Sequence, residues 1–233
     1  MRSFSAARVI ATRSKLAEVG HVVIALSGWA QYAIVPEELF EPVSTLPKVG
    51  ETHGLLSMYG LAGMTAWVGM TRIGDPKPGD TVVVSAAAGA TGGIAGQIAK
   101  VKGAWLGFDV ALDYKARDFE DKFMEATRGF IDVYFDNVGG RILDMCLGQA
   151  KQGARFVQCG MITQYSRGDK QLNLTNYFKV ISMRIKIQGF VVADHTDLWP
   201  RAREEMARWA EQGRLKADVT IVDGGLDVVD QFV

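Results

Sequence analysis

Hydrophobic and polar positions follow one pattern in the first fifty residues and another beyond them. Up to about Pro47 they alternate in short runs separated by glycine and serine. Alternation with a period of two is typical of strands that are buried on one face. It predicts three short antiparallel strands, Arg8–Ala11, His21–Leu26 and Ala30–Val35.

The rest of the chain alternates between helical spacing and short apolar runs. Leu55–Ile73 has the spacing of a buried helix, with Gly60 and Gly63 marking close packing or an interruption. Further strands are predicted at Val82–Val84, Asp109–Tyr114, Ile131–Asp136, Ala154–Cys159 and Lys186–Val192, and further helices at Phe119–Thr127, Arg141–Ala150 and Trp199–Gln212. Such alternation predicts an α/β fold with a doubly wound parallel sheet. We place a partial, mostly antiparallel β domain at residues 1–54 and a Rossmann dinucleotide-binding domain at residues 55–233.

A turn of small residues, Ser85-Ala-Ala-Ala-Gly-Ala-Thr-Gly92, follows the strand Val82–Val84. Gly89 permits a tight turn and a close backbone approach, and Gly92 lets the next helix pack near its strand. Unpaired N–H groups at the start of that helix would face an anion, as in sites for a dinucleotide pyrophosphate. Because Ala87 replaces the first glycine of the usual motif, methyltransferases and purely structural crossovers remain alternatives for this turn alone.

Composition excludes several classes of protein. The 26 basic and 26 acidic side chains give no general attraction to nucleic acid or to anionic membranes. No apolar run approaches the ~20 residues of a membrane helix, so we expect a cytoplasmic protein. Cys146 and Cys159 are too few for a disulfide scaffold, and none of the three histidines has a partner at metal-ligand spacing. We therefore predict no metal site.

Five segments occur in a characteristic order: Gly63–Trp67, Pro78–Gly92, Tyr134–Gly140, Cys159–Tyr165 and Gly189–Val192. Together they resemble the zinc-independent medium-chain dehydrogenases/reductases. Within that superfamily they are similar to the branch of prostaglandin reductases, leukotriene B4 12-hydroxydehydrogenases and alkenal double-bond reductases. This resemblance implies NADP(H) as cofactor, a GroES-like β domain on the substrate side and a homodimer.

Compared with that family, the chain is short in several places. Lys100–Ala104 should lead into a second parallel strand and a helix, but Asp109 follows too soon for a parallel crossover. We expect missing segments near residues 104/105. The resemblance also implies that the first half of the β domain and the C-terminal end are absent.

Two polar side chains follow predicted strands where doubly wound sheets bind ligands. The amide of Asn137 can donate and accept toward a ribose or nicotinamide, although a plain turn residue would explain it equally well. Tyr165 resembles the family tyrosine beside the nicotinamide and the substrate carbonyl. A neutral phenol there can stabilise an enolate oxygen, whereas its structural alternative is a packed loop side chain.

The resemblance implies a wider set of cofactor contacts along the chain. These are Thr65, Ala88, Gly89, Ala90, Thr91, Gly92, Tyr114, Asn137, Cys159, Tyr165, Phe190, Val191 and Val192, with Tyr165 also catalytic. The structural alternatives are a hydrogen bond back to its own helix for Thr65, an ordinary strand-end aromatic for Tyr114 and ordinary burial for Cys159.

The implied reaction is NADPH-dependent reduction of the carbon–carbon double bond of α,β-unsaturated ketones or aldehydes. The implied partner is thus a small enone or alkenal, and neither nucleic acid nor a membrane is expected. A quinone reductase of the same superfamily and a non-catalytic nucleotide-binding regulator remain alternatives. A short-chain dehydrogenase is disfavoured because Asp169, not lysine, stands four residues after Tyr165.

Overall fold

The computed structural model describes residues 3–43, 52–104, 109–165, 173–217 and 219–220, without the side chains of 52 and 53. Contacts between Cα atoms divide the chain into two compact units. The first includes the residues up to Leu61, and the second is Ala62–Lys216. Within the described ranges, no helix has the length and apolar character needed to cross a membrane.

The first unit contains an antiparallel sheet of three short strands in the order β1-β2-β3. Its elements are β1 (Ser5–Arg8), β2 (Val22–Ala25), a 3-10 turn (Glu37–Leu39), β3 (Phe40–Pro42) and α1 (Thr52–Leu56). Ala17, Val23 and Ala25 form a small core beneath the sheet. The alternating pattern therefore predicted the kind of sheet correctly.

One predicted strand of this unit is wrong. Ala30–Val35 is not a strand, and β2 pairs with Phe40–Pro42 instead. Tyr32 and Ile34 are exposed to solvent, so their alternation with polar residues does not reflect a buried face. The first strand is also displaced, since Ser5–Arg8 overlaps the predicted Arg8–Ala11 only at Arg8.

The second unit is built on a parallel sheet in the order β4-β5-β6-β7. If β4 is taken as the first strand of a Rossmann sheet, this is the order of its first, fourth, fifth and sixth strands. The elements are α2 (Leu61–Val68), a π-helical segment (Gly69–Gly74), β4 (Val82–Val84), α3 (Ala90–Val101), α4 (Phe119–Ala126), β5 (Ile131–Asp136), α5 (Gly140–Gly148), β6 (Ala150–Gln158), α6 (Ile162–Tyr165), α7 (Lys179–Ser182), β7 (Lys186–Gly189), a 3-10 segment (Val192–Leu198) and α8 (Trp199–Glu211).

Both faces of this sheet are covered, as the apolar run of β5 predicts. On one face Tyr134 packs edge-on against Phe156 in a core shared with α4 and α5. On the other face the π-helical segment lies directly on the strands. A Cβ atom at Gly69 would stand 2.6 Å from the Phe135 ring, so only glycine permits this approach. The α/β prediction is confirmed.

Two predicted strands of this unit need correction. Asp109–Tyr114 is not a strand, because the Asp113 carboxylate accepts the N–H of Lys115 at 2.9 Å and turns the chain. Lys186–Val192 ends as a strand at Gly189, since Val192 begins a 3-10 segment. Residues 105–108, where missing segments were predicted, lie outside the described part of the chain.

Candidate functional site

The carboxyl ends of the four parallel strands lie level along one edge of the sheet. Val84 pairs with Phe135, and Asp136 pairs with Gln158, which in turn pairs with Gly189. The segments that leave this edge are the turn after β4, the loop after β5, the loop after β6 and the chain after β7. Ligands of open α/β sheets bind at such an edge.

The turn after β4 ends in backbone N–H groups that precede the first hydrogen bond of α3. Gly89 is the N-cap of α3, without a side-chain cap, and the first helical hydrogen bond runs from the Gly93 N–H to the Gly89 carbonyl at 2.8 Å. The N–H groups of Ala90, Thr91 and Gly92 precede that bond. N–H groups at a helix start, together with the helix dipole, can bind an anion such as a pyrophosphate.

This turn is packed so closely that it admits no side chain at one glycine. A Cβ atom at Gly92 would stand 2.3 Å from the Ala86 carbonyl oxygen and 3.0 Å from the Ala87 Cα. Ala86 itself has a positive φ of 49°, an uncommon conformation for alanine. The role predicted for Gly92, to let the helix start against its strand, agrees with this geometry.

Asp136, at the end of β5, holds the neighbouring segments together. Its carboxylate is fully buried, and a single oxygen, Oδ1, accepts all of its hydrogen bonds from the described residues. The donors are the hydroxyls of Ser85 (3.1 Å) and Tyr134 (2.8 Å) and the N–H groups of Val138 (2.9 Å) and Gly139 (2.8 Å). The carboxylate thus joins the end of β4 to the loop after β5.

Asn137 lies between the ends of β4 and β6. Its Nδ2 donates to the Ser85 carbonyl at 2.8 Å, and its backbone N–H donates to the Ser85 hydroxyl at 2.9 Å. One amide hydrogen is thereby used within the protein, while the amide oxygen and the second hydrogen have no partner among the described residues and can bind a ligand. The turn role and the ligand role weighed for Asn137 are therefore compatible.

The loops after β5 and β6 are joined by four backbone hydrogen bonds. Donors from Cys159 to Thr163 pair with carbonyls from Asp136 to Val138 at 2.9 to 3.4 Å. Gly139 and Gly140 have positive φ angles, and a Cβ atom at Gly139 would stand 2.7 Å from Met161 Cγ. The Gly-Gly pair is therefore required for the close approach of these loops.

Tyr165, on α6, points its hydroxyl back to this junction. The Tyr165 oxygen accepts the N–H of Met161 at 3.1 Å and lies 3.4 Å from where a Cβ of Gly160 would be. The side chain is 73% exposed, so packing does not explain it. Because its oxygen is the acceptor of the Met161 bond and no described residue accepts its O–H, that O–H can donate to a ligand.

The two thiols near this edge are held protonated. Burial, and then the negative charge of Asp136, raise the pKa of the Cys159 thiol to about 11. The same two causes raise the pKa of the fully buried Cys146 well above its ordinary value. Cys159 is thus a neutral lining residue at the end of β6, not a nucleophile.

The remaining predicted site residues lie on other elements of the second unit. Phe190–Val192 follow the carboxyl end of β7, and the Phe190 ring packs close to Gly69. Thr65 lies on α2, one helical turn before Gly69, and is half-buried. Tyr114 stands in an exposed turn with the Lys115 ammonium 5.6 Å from its ring centre. The predicted residues that follow β4, β5, β6 and β7 therefore lie at one edge of the sheet, whereas Thr65 lies on α2 and Tyr114 in an exposed turn.

Sequence reasoning missed the residues that organise the edge from within. Ser85 and Asp136 stand 51 positions apart, so their hydrogen bond follows from sheet order and not from local spacing. Thr163, whose hydroxyl donates to the Val138 carbonyl at 2.7 Å, was also missed. The sequence could have indicated this role for Asp136, because a carboxylate at the end of an otherwise apolar buried strand needs several hydrogen-bond donors.

The edge fits a dinucleotide by its own chemistry. Besides the N–H groups that open α3, the edge has two buried atoms, Asp136 Oδ2 and Gln158 Nε2, without a hydrogen-bond partner among the described residues. They stand at paired positions of β5 and β6. Buried polar atoms of this kind call for a ligand or water. In the described ranges, no group of three His, Cys, Asp or Glu side chains could hold a metal ion.

Comparison with known proteins identifies the family. Residues 90–211 match the family model described as zinc-binding dehydrogenase. The chain is 34% identical over 246 residues to prostaglandin reductase 1 of Bos taurus, covering 97% of this chain and 75% of that protein. It is also 34% identical over 236 residues to the NADP(+)-dependent 2-alkenal reductase of Nicotiana tabacum, covering 91% of this chain and 66% of that one.

A solved structure extends the likeness to three dimensions. CurA from Vibrio vulnificus in complex with NADPH superposes with a TM-score of 0.89 at 31% identity, covering 99% of this chain and 74% of that one. The chain therefore has the fold of the medium-chain reductases, a Rossmann sheet with an antiparallel β domain, as predicted. It belongs to the medium-chain dehydrogenase/reductase family, in the branch of the prostaglandin and alkenal reductases, and the resemblance drawn from its motifs is confirmed.

Proposed function

We propose that this protein uses NADPH to reduce the carbon–carbon double bond of α,β-unsaturated ketones or aldehydes. The relatives named for prostaglandin and 2-alkenal reduction support the reaction, and the NADPH complex of CurA supports the cofactor. The bound cofactor supplies a hydride to the β-carbon, and a proton from solvent or the hydrogen-bond network then reaches the α-carbon. The protein binds and orients the cofactor and the substrate, and it stabilises the charge that develops on the substrate.

Binding is assigned to the carboxyl edge of the parallel sheet. The N–H groups of Ala90, Thr91 and Gly92 would hold the pyrophosphate, with Ala88 and Gly89 forming the exposed approach to them. The ribose and nicotinamide end would meet Asn137 and Cys159, together with Phe190–Val192 and Thr65. Tyr114 keeps the adenosine-side role that the family resemblance implies.

Tyr165 is proposed as the catalytic residue. During hydride addition, negative charge develops on the carbonyl oxygen of the substrate. A phenol that already accepts a hydrogen bond from the Met161 N–H can direct its own proton to that oxygen and stabilise the enolate, with a ribose hydroxyl as a second donor. The position of the Tyr165 hydroxyl beside Gly160, at the edge that begins with the anion site, is the observation that carries this proposal.

The test is a spectrophotometric screen of NADPH and NADH oxidation against enones, alkenals and quinones, with the saturated products identified by mass spectrometry. We expect NADPH to be preferred and enones or alkenals to be saturated. Turnover of quinones with inert enones would favour the quinone reductase. Coenzyme binding without turnover of any acceptor, unchanged in Tyr165→Phe, would favour a regulatory protein.

Further properties are proposed on the family resemblance. The protein would be a cytoplasmic homodimer that works without zinc. Residues 1–54 would belong to a domain on the substrate side, and residues 55–233 to the coenzyme domain. Sedimentation equilibrium and metal analysis of the active protein test the dimer and the metal independence, and a monomer or a stoichiometric, chelator-sensitive zinc would contradict them.

A further inference from the structure

Asp136 is an unusual feature of the sheet edge, because a carboxylate is buried there without a cation. Its exposure is 0%, and among the described residues no lysine or arginine forms an ion pair with it. A buried charge is costly unless hydrogen bonds compensate it. Four donors converge on Oδ1, and because an ionised carboxylate only accepts hydrogen bonds, this arrangement fits the charged form.

The four donors come from segments that must be aligned for a ligand to bind. Ser85 begins the turn that leads to the anion site of α3, while Val138 and Gly139 form the loop that meets the chain after β6. The Ser85 hydroxyl also accepts the N–H of Asn137. One carboxylate oxygen thus fixes both the end of β4 and two consecutive peptide planes within the Asn137–Gly140 turn.

We propose that Asp136 is a positioning residue for coenzyme binding. It acts through the loops and does not touch the reacting atoms. By fixing the Ser85 end of the turn and the Asn137 loop relative to one another, it sets the distance between the part of the edge that holds the pyrophosphate and the part that holds the nicotinamide. This inference rests on the proposed function of the edge, and it adds a residue to which neither the motifs nor the family resemblance assigned a role.

The structure supplies a graded set of variants. Asp136→Asn keeps an oxygen at Oδ1 but removes the charge, and Asp136→Ala removes the acceptor altogether. Ser85→Ala removes one donor. Thr127→Val is the control, because Thr127 is also buried and its hydroxyl donates to the Phe123 carbonyl at 2.7 Å, at the end of α4.

The first measurement is the dissociation constant for NADPH, obtained from tryptophan fluorescence, alongside the melting temperature. Asp136→Asn should weaken NADPH binding about tenfold, the size expected for one charge-assisted hydrogen bond, and Asp136→Ala should weaken it further. Thr127→Val should lower the melting temperature without changing the affinity. In turnover assays, KM for NADPH should rise much more than kcat falls.

The second measurement needs no coenzyme. Amide hydrogen exchange of the peptide that contains Asn137–Gly140 should become faster in Asp136→Asn, with no change in peptides from α8. The inference is overturned if Asp136→Asn binds NADPH with the affinity of the wild type. It is also overturned if Thr127→Val, at the same loss of stability as Asp136→Asn, loses as much affinity for NADPH. Failure of the wild type to bind NADPH would instead refute the proposed function, and unchanged exchange in the Asn137–Gly140 peptide would still refute the positioning role.

Discussion

The two ends of the candidate coenzyme site are built by different means. The turn after β4 is made by backbone: small residues, an uncapped helix start and a glycine that admits no Cβ. The loops after β5 and β6 depend in addition on side chains that reach from one strand end to another, above all Asp136 and Thr163. A backbone site depends on where glycine is placed, whereas a side-chain site depends on hydrogen-bond partners far apart in sequence.

This difference predicts that the backbone end tolerates the least change. Gly92→Ala would push a methyl group to 2.3 Å from the Ala86 carbonyl oxygen, so the start of α3 must move. Since displacing a binding group by about 1 Å can cost roughly 10²-fold, we expect NADPH affinity to fall by more than that. Isothermal titration measures it.

The adjacent glycine provides the matched control. A Cβ at Gly93 would stand 3.4 Å from the Ala87 carbonyl oxygen, an ordinary contact. Gly93→Ala should bind NADPH as the wild type does and be about 0.5–1 kcal/mol more stable, because alanine favours a helix. Equal losses of affinity in both variants would show that helix start geometry is not what binds the coenzyme.

The catalytic side chain should affect rate and not binding. Tyr165→Phe removes the O–H of the protein that is proposed to donate to the substrate oxygen, so kcat should fall roughly 10²-fold while the NADPH affinity changes little. Stopped-flow measurement of hydride transfer separates the rate of the chemical step from the affinity for NADPH. Tyr177→Phe, at a tyrosine that is also exposed, is the control and should leave kcat unchanged. A Tyr165→Phe enzyme with the wild-type rate would remove the phenol from the mechanism.

The junction between the two loops should show an intermediate effect. At Gly139, alanine would suffer both a positive φ of 72° and a contact of 2.7 Å with Met161 Cγ. The ψ of Gly139 is −156°, which places it in a region that essentially only glycine occupies. Gly139→Ala should therefore weaken NADPH binding about tenfold and lower the free energy of unfolding by about 1–3 kcal/mol.

A variant at Gly153 tests the effect of backbone strain without the effect of a contact between the loops. Its φ is 77°, but no atom lies within 4 Å of the position of its Cβ. Gly153→Ala should lose about 1–2 kcal/mol of stability with the coenzyme affinity intact. If Gly139→Ala also kept its affinity, the close approach of the loops would have no part in binding.

The smallest effect concerns the Cys159 thiol. Its pKa is raised by burial and by Asp136 from 9.0 to about 11, so between these values the unfolded chain ionises first and stability falls as pH rises. Cys159→Ser should reduce this decline in urea denaturation from pH 9 to 11. In the folded protein Cys159 should also resist alkylation at pH 8, and rapid labelling there would contradict the raised pKa.

The same contrast explains how much the sequence could predict. The apolar run Ile131–Asp136 matched β5 at both ends because burial on two faces leaves a continuous signal. Ala30–Val35 was wrongly predicted as a strand because alternation alone does not supply a partner strand. Asp109–Tyr114 was wrongly predicted as a strand because Asp113 turns the chain.

At the site, the glycines of the β4 turn could be read from local spacing, since their role is local. The hydrogen bonds of Asp136 to Ser85, Tyr134 and the following loop could not, because they require β4 and β5 to be neighbours in the sheet. The family resemblance alone indicates Tyr165 as the catalytic residue, and only the structure shows that its hydroxyl lies beside Met161 and Gly160.

A crystal structure of the full chain with NADPH tests the central claim most directly. The account predicts the pyrophosphate against the N–H groups of Ala90, Thr91 and Gly92, with the nicotinamide on the same edge between Asn137 and the Tyr165 hydroxyl. A coenzyme bound at another edge of the sheet, or one whose nicotinamide lies away from Tyr165, would contradict it.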